Sequence, residues 1–268
     1  MTQLAYTQIG EGPKLGVLLH GILGSKSNWN SIAKRLAQRL PQWRFYTVDL
    51  RNHGESFCSD EGNTLQACGD DLLKLFMELG QEPSWLSGHS FGGKVAMLYA
   101  QEFATELEEL VVLDSTPGRS NRKGISSQVE RVIEVLRSIS MPVAHRDEVV
   151  EAVLAKGLSL PIAKWMTTNL KRVDEGFQWR FHLDGVEQML KSYGEYDGWP
   201  IFERPSCKTL FVRGGKSDRW QQDDVDKLEM LGKDGTIELH TLENAGHWVH
   251  SDDPQGLLRI LEESLLAL

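Results

Sequence analysis

One serine stands in a sequence pattern that is typical of an activated nucleophile. Residues 88–92 read Gly-His-Ser-Phe-Gly, so Ser90 lies between two glycines. The apolar pair Trp85 and Leu86 precedes this stretch, and residues 93–100 have helical character. A strand, a sharp turn and a helix are the setting that exposes a G-x-S-x-G serine for attack on a carbonyl carbon. The pattern therefore predicts acyl transfer at Ser90, whereas in an ordinary turn this serine would only cap a helix.

A serine hydroxyl is nearly inert at neutral pH unless a base takes its proton. Among the 8 histidines, His247 is best placed for this role, in the stretch Asn-Ala-Gly-His-Trp between the last apolar strand pattern and the last helical pattern. The order serine, acid, histidine along the chain is the one that this motif requires. His247 is therefore the predicted base, and His250 is its nearest rival.

Two aspartates are candidates for the acid that orients His247. Asp218 follows an apolar run that ends at Val212, and Asp114 directly follows the apolar run that ends at Leu113. Either carboxylate could hold Nδ1 of the imidazole and stabilise the imidazolium that forms. We expect Asp218 to be the acid and keep Asp114 as the alternative.

A glycine-containing loop, His-Gly-Ile-Leu-Gly-Ser at residues 20–25, could supply half of an oxyanion hole. Two backbone N–H groups are needed there, one from the residue after the nucleophile and one from an early loop. These are predicted to be Phe91 and Ile22, with Leu23 as the adjacent possibility. Leu23 and Trp179 are the predicted substrate contacts. Five aromatic residues could wall an acyl pocket, although simple packing is the commoner role for most of them: Trp165, Trp179, Phe181, Tyr193 and Trp199.

Alternating elements must position these residues. Short apolar runs predict six strands, at residues 15–19, 45–48, 85–86, 110–113, 209–212 and 237–242. Longer amphipathic segments predict helices, at residues 29–40, 65–79, 92–103 and 254–266. Continuous apolar runs are typical of strands that are covered on both faces, and the alternation predicts an α/β fold with a mostly parallel central sheet flanked by helices.

The segment from residue 116 to about 206 shows successive helical patterns and no strong strand. It is far longer than an ordinary loop between a strand and a helix. We therefore expect a helical cap at residues 118–204, inserted after the sixth strand into a core made of residues 1–117 and 205–268.

Composition narrows the class of protein. The formal charge of −9 disfavours nucleic acid as a partner, and no apolar run reaches the ~20 residues that span a bilayer. The N-terminus has no pattern of a secretory signal. Three cysteines without a paired spacing indicate free thiols in a reducing compartment. We therefore expect a cytoplasmic protein, with no metal, no membrane partner and no dinucleotide motif.

The motifs together resemble the α/β-hydrolase superfamily, and most closely the small YbfF-type esterases. Four stretches carry the resemblance and fall in the same order: residues 20–25, 49–56 (Asp-Leu-Arg-Asn-His-Gly-Glu-Ser), 88–94 and 245–250 (Ala-Gly-His-Trp-Val-His). The similarity covers the expected core and is loose across the expected cap.

This resemblance implies hydrolysis of small acyl esters, with thioesters as further substrates and no cofactor, by a monomer or small homo-oligomer. It implies that Ser90, His247, Ile22 and Phe91 have the roles given above. Members of the esterase group use the acid that corresponds to Asp114, whereas the wider superfamily keeps its acid at the position of Asp218. Two alternatives stay open: a lyase or C–C bond hydrolase on the same scaffold, such as an enzyme of menaquinone synthesis, and a non-catalytic ligand-binding protein.

Overall fold

The computed structural model describes residues 3–119 and 125–268. In chain order the described strands are β1 (Tyr6–Ile9), β2 (Lys14–Leu19), β3 (Trp43–Val48), β4 (Trp85–His89), β5 (Glu109–Leu113), β6 (Leu170–Val173), β7 (Gly176–Trp179), β8 (Lys208–Gly214) and β9 (Ile237–Leu242). Seven of them form one sheet in the order β1-β3-β2-β4-β5-β8-β9. All neighbouring pairs in this sheet are parallel except β1 with β3. The predicted α/β class with a mostly parallel sheet is confirmed.

The described α-helices flank this sheet or lie in the long segment between β5 and β8. They are α1 (Asn30–Arg39), α2 (Leu65–Leu79), α3 (Phe91–Glu102), α4 (Ile125–Arg137), α5 (Arg146–Ala155), α6 (Leu160–Thr168), α7 (Leu183–Glu195), α8 (Trp199–Glu203), α9 (Gln222–Leu231), α10 (Val249–Asp252) and α11 (Pro254–Leu266). Within the described ranges, none of these helices is long and apolar enough to cross a bilayer.

Alternate residues of each central strand pack into opposite apolar layers. In β5, Leu110 and Val112 belong to one buried cluster and Val111 and Leu113 to the other. Because successive side chains of a strand point to opposite faces, a strand covered on both sides favours apolar residues at most positions. This is why the central strands appear in the sequence as mainly apolar runs without regular alternation.

The segment between β5 and β8 has an apolar cluster of its own, which includes Val149, Met166 and Val186. Leu23 is buried in the same cluster, and Trp248 packs against it, so this segment lies against two loops of the sheet domain. The division into a core and a cap at residues 118–204 stays a prediction.

Three details differ from the sequence predictions. We expected the segment after the sixth strand, and it follows β5, the fifth strand of the described chain. The difference arises because the prediction used the strand numbering of the wider superfamily. It also contains an antiparallel hairpin, β6 with β7, which we did not predict. Strand β1 was missed as well, because it lies at the antiparallel edge of the sheet and alternates half-buried with exposed residues instead of forming an apolar run.

Candidate active site

Ser90 lies in a sharp turn between β4 and α3, with backbone angles φ 52° and ψ −114°. A side chain at Gly88 would put its Cβ 2.1 Å from the carbonyl oxygen of Gly92, and one at Gly92 would meet the carbonyl oxygen of His20 at 2.5 Å. The two glycines therefore let the strand, the helix and the early loop approach each other closely. A non-glycine residue held at positive φ stores backbone strain of about 1–3 kcal/mol, and such strain is concentrated at functional sites.

His247 lies in the loop between β9 and α10, and its imidazole contacts a buried carboxylate. Nδ1 of His247 is 2.7 Å from Oδ2 of Asp114. The Asp114 side chain is fully buried at the end of β5 and accepts three further hydrogen bonds: from the backbone N–H of Gly214, from Nε1 of Trp220 and from Oγ of Ser217. This carboxylate is therefore positioned to orient the imidazole through its Nδ1 edge and to balance a positive charge on the ring.

The preference for Asp218 over Asp114 is contradicted by this geometry. The Asp218 side chain is 70% exposed, and its carboxylate lies 3.5 Å from Nε of its neighbour Arg219. In the loop after β8 it is the hydroxyl of Ser217 that donates to Asp114, and Asp218 lines the cavity without a hydrogen bond or ion pair to His247. Asp114 is thus the aspartate that the fold brings to His247.

Ser90 and His247 line the same cavity. Among the described residues, Oγ of Ser90 makes no hydrogen bond to His247 within 3.5 Å. Hydrogen bonds between catalytic groups are often long without substrate and tighten when it binds. Both side chains are therefore open to one cavity.

Of the three candidate oxyanion donors, Ile22 and Phe91 have backbone N–H groups without an acceptor among the described residues. Phe91 is the first residue of α3, where an N–H has no partner inside the helix. The N–H of Leu23 is already used, because it donates to Nε2 of His53 at 3.0 Å. The geometry thus supports the predicted pair Ile22 and Phe91, and it leaves Leu23 without a free donor.

Two buried histidines, whose function the sequence did not indicate, hold the early loop. His53 accepts from Leu23, and Nε2 of His20 accepts from the backbone N–H of Leu50 at 3.0 Å. Burial lowers the pKa of both imidazoles, to about 3 for His53. Both rings are therefore neutral near pH 7 and keep the bare nitrogen that each of these hydrogen bonds needs.

A third buried histidine connects the serine turn to the base. Nε2 of His89 donates to the backbone carbonyl of His247 at 2.7 Å, and the ring centroids of these two residues are 4.8 Å apart. Burial is the main reason that the pKa of His89 lies well below its ordinary value, and it also lowers the pKa of His250, to about 4. Although these imidazoles are close together, no group of three or more His, Cys, Asp and Glu side chains in the described part of the chain could hold a metal ion.

The cavity above Ser90 has a volume of about 1360 Å³ and is bounded by the early loop, the serine turn, the His247 loop and helices α4, α6 and α7. Leu23, a predicted substrate contact, lines it, and so do Trp165 and Tyr193, two of the aromatic residues considered as possible walls. Trp179, the other predicted substrate contact, is not among the residues that line the cavity, and its ring stacks on Phe181 with 5.0 Å between centroids. The Trp179 ring is part of the packing inside the inserted segment.

Comparison with known proteins agrees with the fold. The sequence model of the alpha/beta hydrolase family matches residues 17–260. The chain is 36% identical over 248 residues to sn-1-specific diacylglycerol lipase ABHD11 of Mus musculus, covering 90% of this chain and 78% of the relative. It is 27% identical over 256 residues to esterase YbfF of Escherichia coli, covering 93% of this chain and 92% of the relative.

A solved structure, a marine microorganism esterase, superposes with a TM-score of 0.85 at 25% identity, covering 98% of this chain and 99% of the other. The family match spans most of the sequence, including the turn at Ser90 and the loop at His247. The resemblance to small esterases of the YbfF type is therefore confirmed, and the chain belongs to the alpha/beta hydrolase family.

Proposed function

We propose that this protein cleaves small acyl esters through an acyl-enzyme on Ser90, with His247 as general base and Asp114 as the carboxylate that orients it. The chain is a carboxylic ester hydrolase, in keeping with the lipase and esterase names of its relatives. The observation that carries the finer proposal is the hydrogen bond of 2.7 Å between Nδ1 of His247 and the buried Asp114 carboxylate, in a cavity that Ser90 also lines.

In the proposed reaction, Nε2 of His247 takes the proton of the Ser90 hydroxyl while Oγ attacks the ester carbonyl carbon. The oxyanion that forms accepts hydrogen bonds from the N–H groups of Ile22 and Phe91. His247 then gives its proton to the leaving alcohol. A water molecule, deprotonated by His247, attacks the acyl-enzyme and releases the carboxylic acid.

The cavity indicates the class of acyl group. Its lining includes Ile22, Leu23, Ile133, Ile162 and Trp165, which suit an apolar chain. The lipase name of one group of relatives and the esterase name of another both fit an uncharged ester with an apolar acyl group. Thioesters would follow the same steps with a thiol as the leaving group.

Kinetics with p-nitrophenyl esters test this function. We expect turnover by the unmodified protein and a loss of at least about 10³-fold in kcat for Ser90→Ala and for His247→Gln, since each removes a member of one catalytic unit. Ser87→Ala is the matched control: Ser87 lies in β4, and its buried hydroxyl has no hydrogen-bond partner among the residues that the structure describes. This variant should keep kcat within about 3-fold.

Equal losses in Ser87→Ala and Ser90→Ala would show that the effect is one of folding and would remove support for Ser90 as nucleophile. No turnover of any ester by the folded, unmodified protein would contradict the proposed function itself.

A further inference from the structure

Lys94 is a buried lysine one helical turn after Ser90, and burial lowers its pKa to about 7. Lys94 has no exposed surface. Because lysine is almost never fully buried without a partner, its contacts indicate what it does. Among the described residues, Nζ donates to the backbone carbonyl oxygens of Gly118 at 2.7 Å, Tyr193 at 3.1 Å and Tyr196 at 3.3 Å. Each of these carbonyls can accept one N–H of the side chain.

The three carbonyls belong to two separate parts of the inserted segment. Gly118 lies shortly after β5, where the chain leaves the sheet, and Tyr193 and Tyr196 lie at the end of α7, shortly before the chain returns to it. Carbonyl groups in the last turn of a helix lack intrahelical partners, and a cation there satisfies them. One side chain of α3 therefore connects the nucleophile helix to both ends of the segment that covers the cavity.

The same ammonium also contacts a wall of the cavity. Nζ lies 4.3 Å from the centre of the Tyr193 ring, a distance at which a cation is attracted to an aromatic face. The Tyr193 ring also stacks on Phe91 with 5.7 Å between centroids. Tyr193 and Phe91 both line the cavity. Lys94 therefore contacts the residue that forms this wall and holds it in position.

We propose that Lys94 is a positioning residue for ester hydrolysis, which fastens both ends of the inserted segment to the nucleophile helix and thereby holds Tyr193 as a wall of the acyl-binding cavity. The proposal rests on the proposed esterase function. Lys94 does not reach the reacting atoms. Its removal should therefore change how long acyl chains bind and leave the chemistry at Ser90 largely intact.

The test compares two esters with one leaving group, p-nitrophenyl acetate and p-nitrophenyl octanoate. For Lys94→Met we expect KM for the octanoate to rise about 10-fold, while kcat for both esters and KM for the acetate stay within about 3-fold, because only binding away from the reaction centre is lost. Lys74→Met, an exposed lysine of α2, is the control and should change none of these values.

A double-mutant cycle separates positioning from a general structural role. If Lys94 acts through Tyr193, the rise in the octanoate KM for Lys94→Met and for Tyr193→Leu should be less than multiplicative in the double variant, since residues that act together are not additive. Lys94→Gln, which keeps an N–H donor, should fall between the unmodified protein and Lys94→Met.

Equal changes for the two esters, or strictly multiplicative effects in the cycle, would overturn the proposal. Failure of both Lys94 variants to fold, measured by circular dichroism, would overturn it too, because Lys94 would then be a folding residue. Absence of ester turnover in the unmodified protein would contradict the proposed function, which is a different failure from these.

Discussion

Replacing Asp114 by asparagine removes one negative charge and leaves the shape of the side chain almost unchanged. Oδ1 of Asp114 accepts from the N–H of Gly214 and from Nε1 of Trp220, and neither of these groups can act as an acceptor. The amide oxygen of the new side chain must therefore take the Oδ1 position, which turns its NH₂ group towards His247. Asparagine also tolerates the positive φ of 44° at this position.

The consequence for His247 follows from the hydrogen bond that it makes with Oδ2. An NH₂ group facing Nδ1 forces this nitrogen to act as the acceptor, so the proton of the neutral ring moves to Nε2. The nitrogen that should take the proton of Ser90 is then occupied. In a serine protease, the corresponding change costs ~10⁴-fold in kcat, equivalent to about 5.5 kcal/mol in the activation barrier, and we expect a loss of that order here.

The assay is kcat for p-nitrophenyl acetate at pH 7.5, with thermal unfolding as a check on the fold. The matched control is Asp218→Asn, because the Asp218 side chain is 70% exposed and makes no contact with His247. It should keep kcat within about 2-fold. A loss below 10-fold for Asp114→Asn, or a large loss for Asp218→Asn, would refute the assignment of the acid.

Three further predictions concern stability and the cavity. Burial lowers the pKa of His250 to about 4, so the unfolded chain binds a proton at this residue before the folded chain does as the pH falls from about 6.5 towards 4. The free energy of unfolding should therefore drop over this range by up to about 3 kcal/mol for this group. His250→Phe should reduce the slope of Tm against pH. Trp165→Ala should raise KM for p-nitrophenyl octanoate several-fold, whereas Trp179→Ala, outside the cavity, should lower Tm and leave KM unchanged. Gly88→Ala should destabilise the fold by more than about 2 kcal/mol in urea unfolding, because its Cβ would overlap the backbone of Gly92.

The parts of the fold that the sequence predicts are those governed by local pattern. Helices α2 and α11 have the predicted bounds, since an apolar face repeats along each one and Thr64 and Asp253 cap their first turns. The turn at Ser90 was predicted because its glycines, the strand before it and the helix after it are adjacent in sequence. Backbone geometry at such a place depends on few residues, and all of them are neighbours.

The choice of acid could not be made in the same way. Asp114 and Asp218 both follow a strand of the sheet, and no local feature separates them. Asp114 is selected by contacts with Gly214, Ser217 and Trp220, about 100 positions further along the chain. These contacts depend on the direction in which one loop turns, which is a property of the folded chain.

The contact between Lys94 and the inserted segment is hidden from the sequence for a similar reason. A lysine within a helix ordinarily indicates a solvent-facing position. Its burial under Tyr193 arises only when α7 packs over α3. The position of Trp179 was hidden in the same way, because the sequence does not show whether an aromatic side chain of the inserted segment faces the cavity or the packing of the segment itself.

The measurement that tests the central claim most directly is the intact mass of the protein after treatment with a fluorophosphonate, followed by peptide mapping. The account predicts one adduct per chain, located on Ser90, with labelling at least about 10³-fold slower in His247→Gln and normal in Ser87→Ala. No adduct on the folded protein, or an adduct on another residue, would contradict an activated serine at position 90.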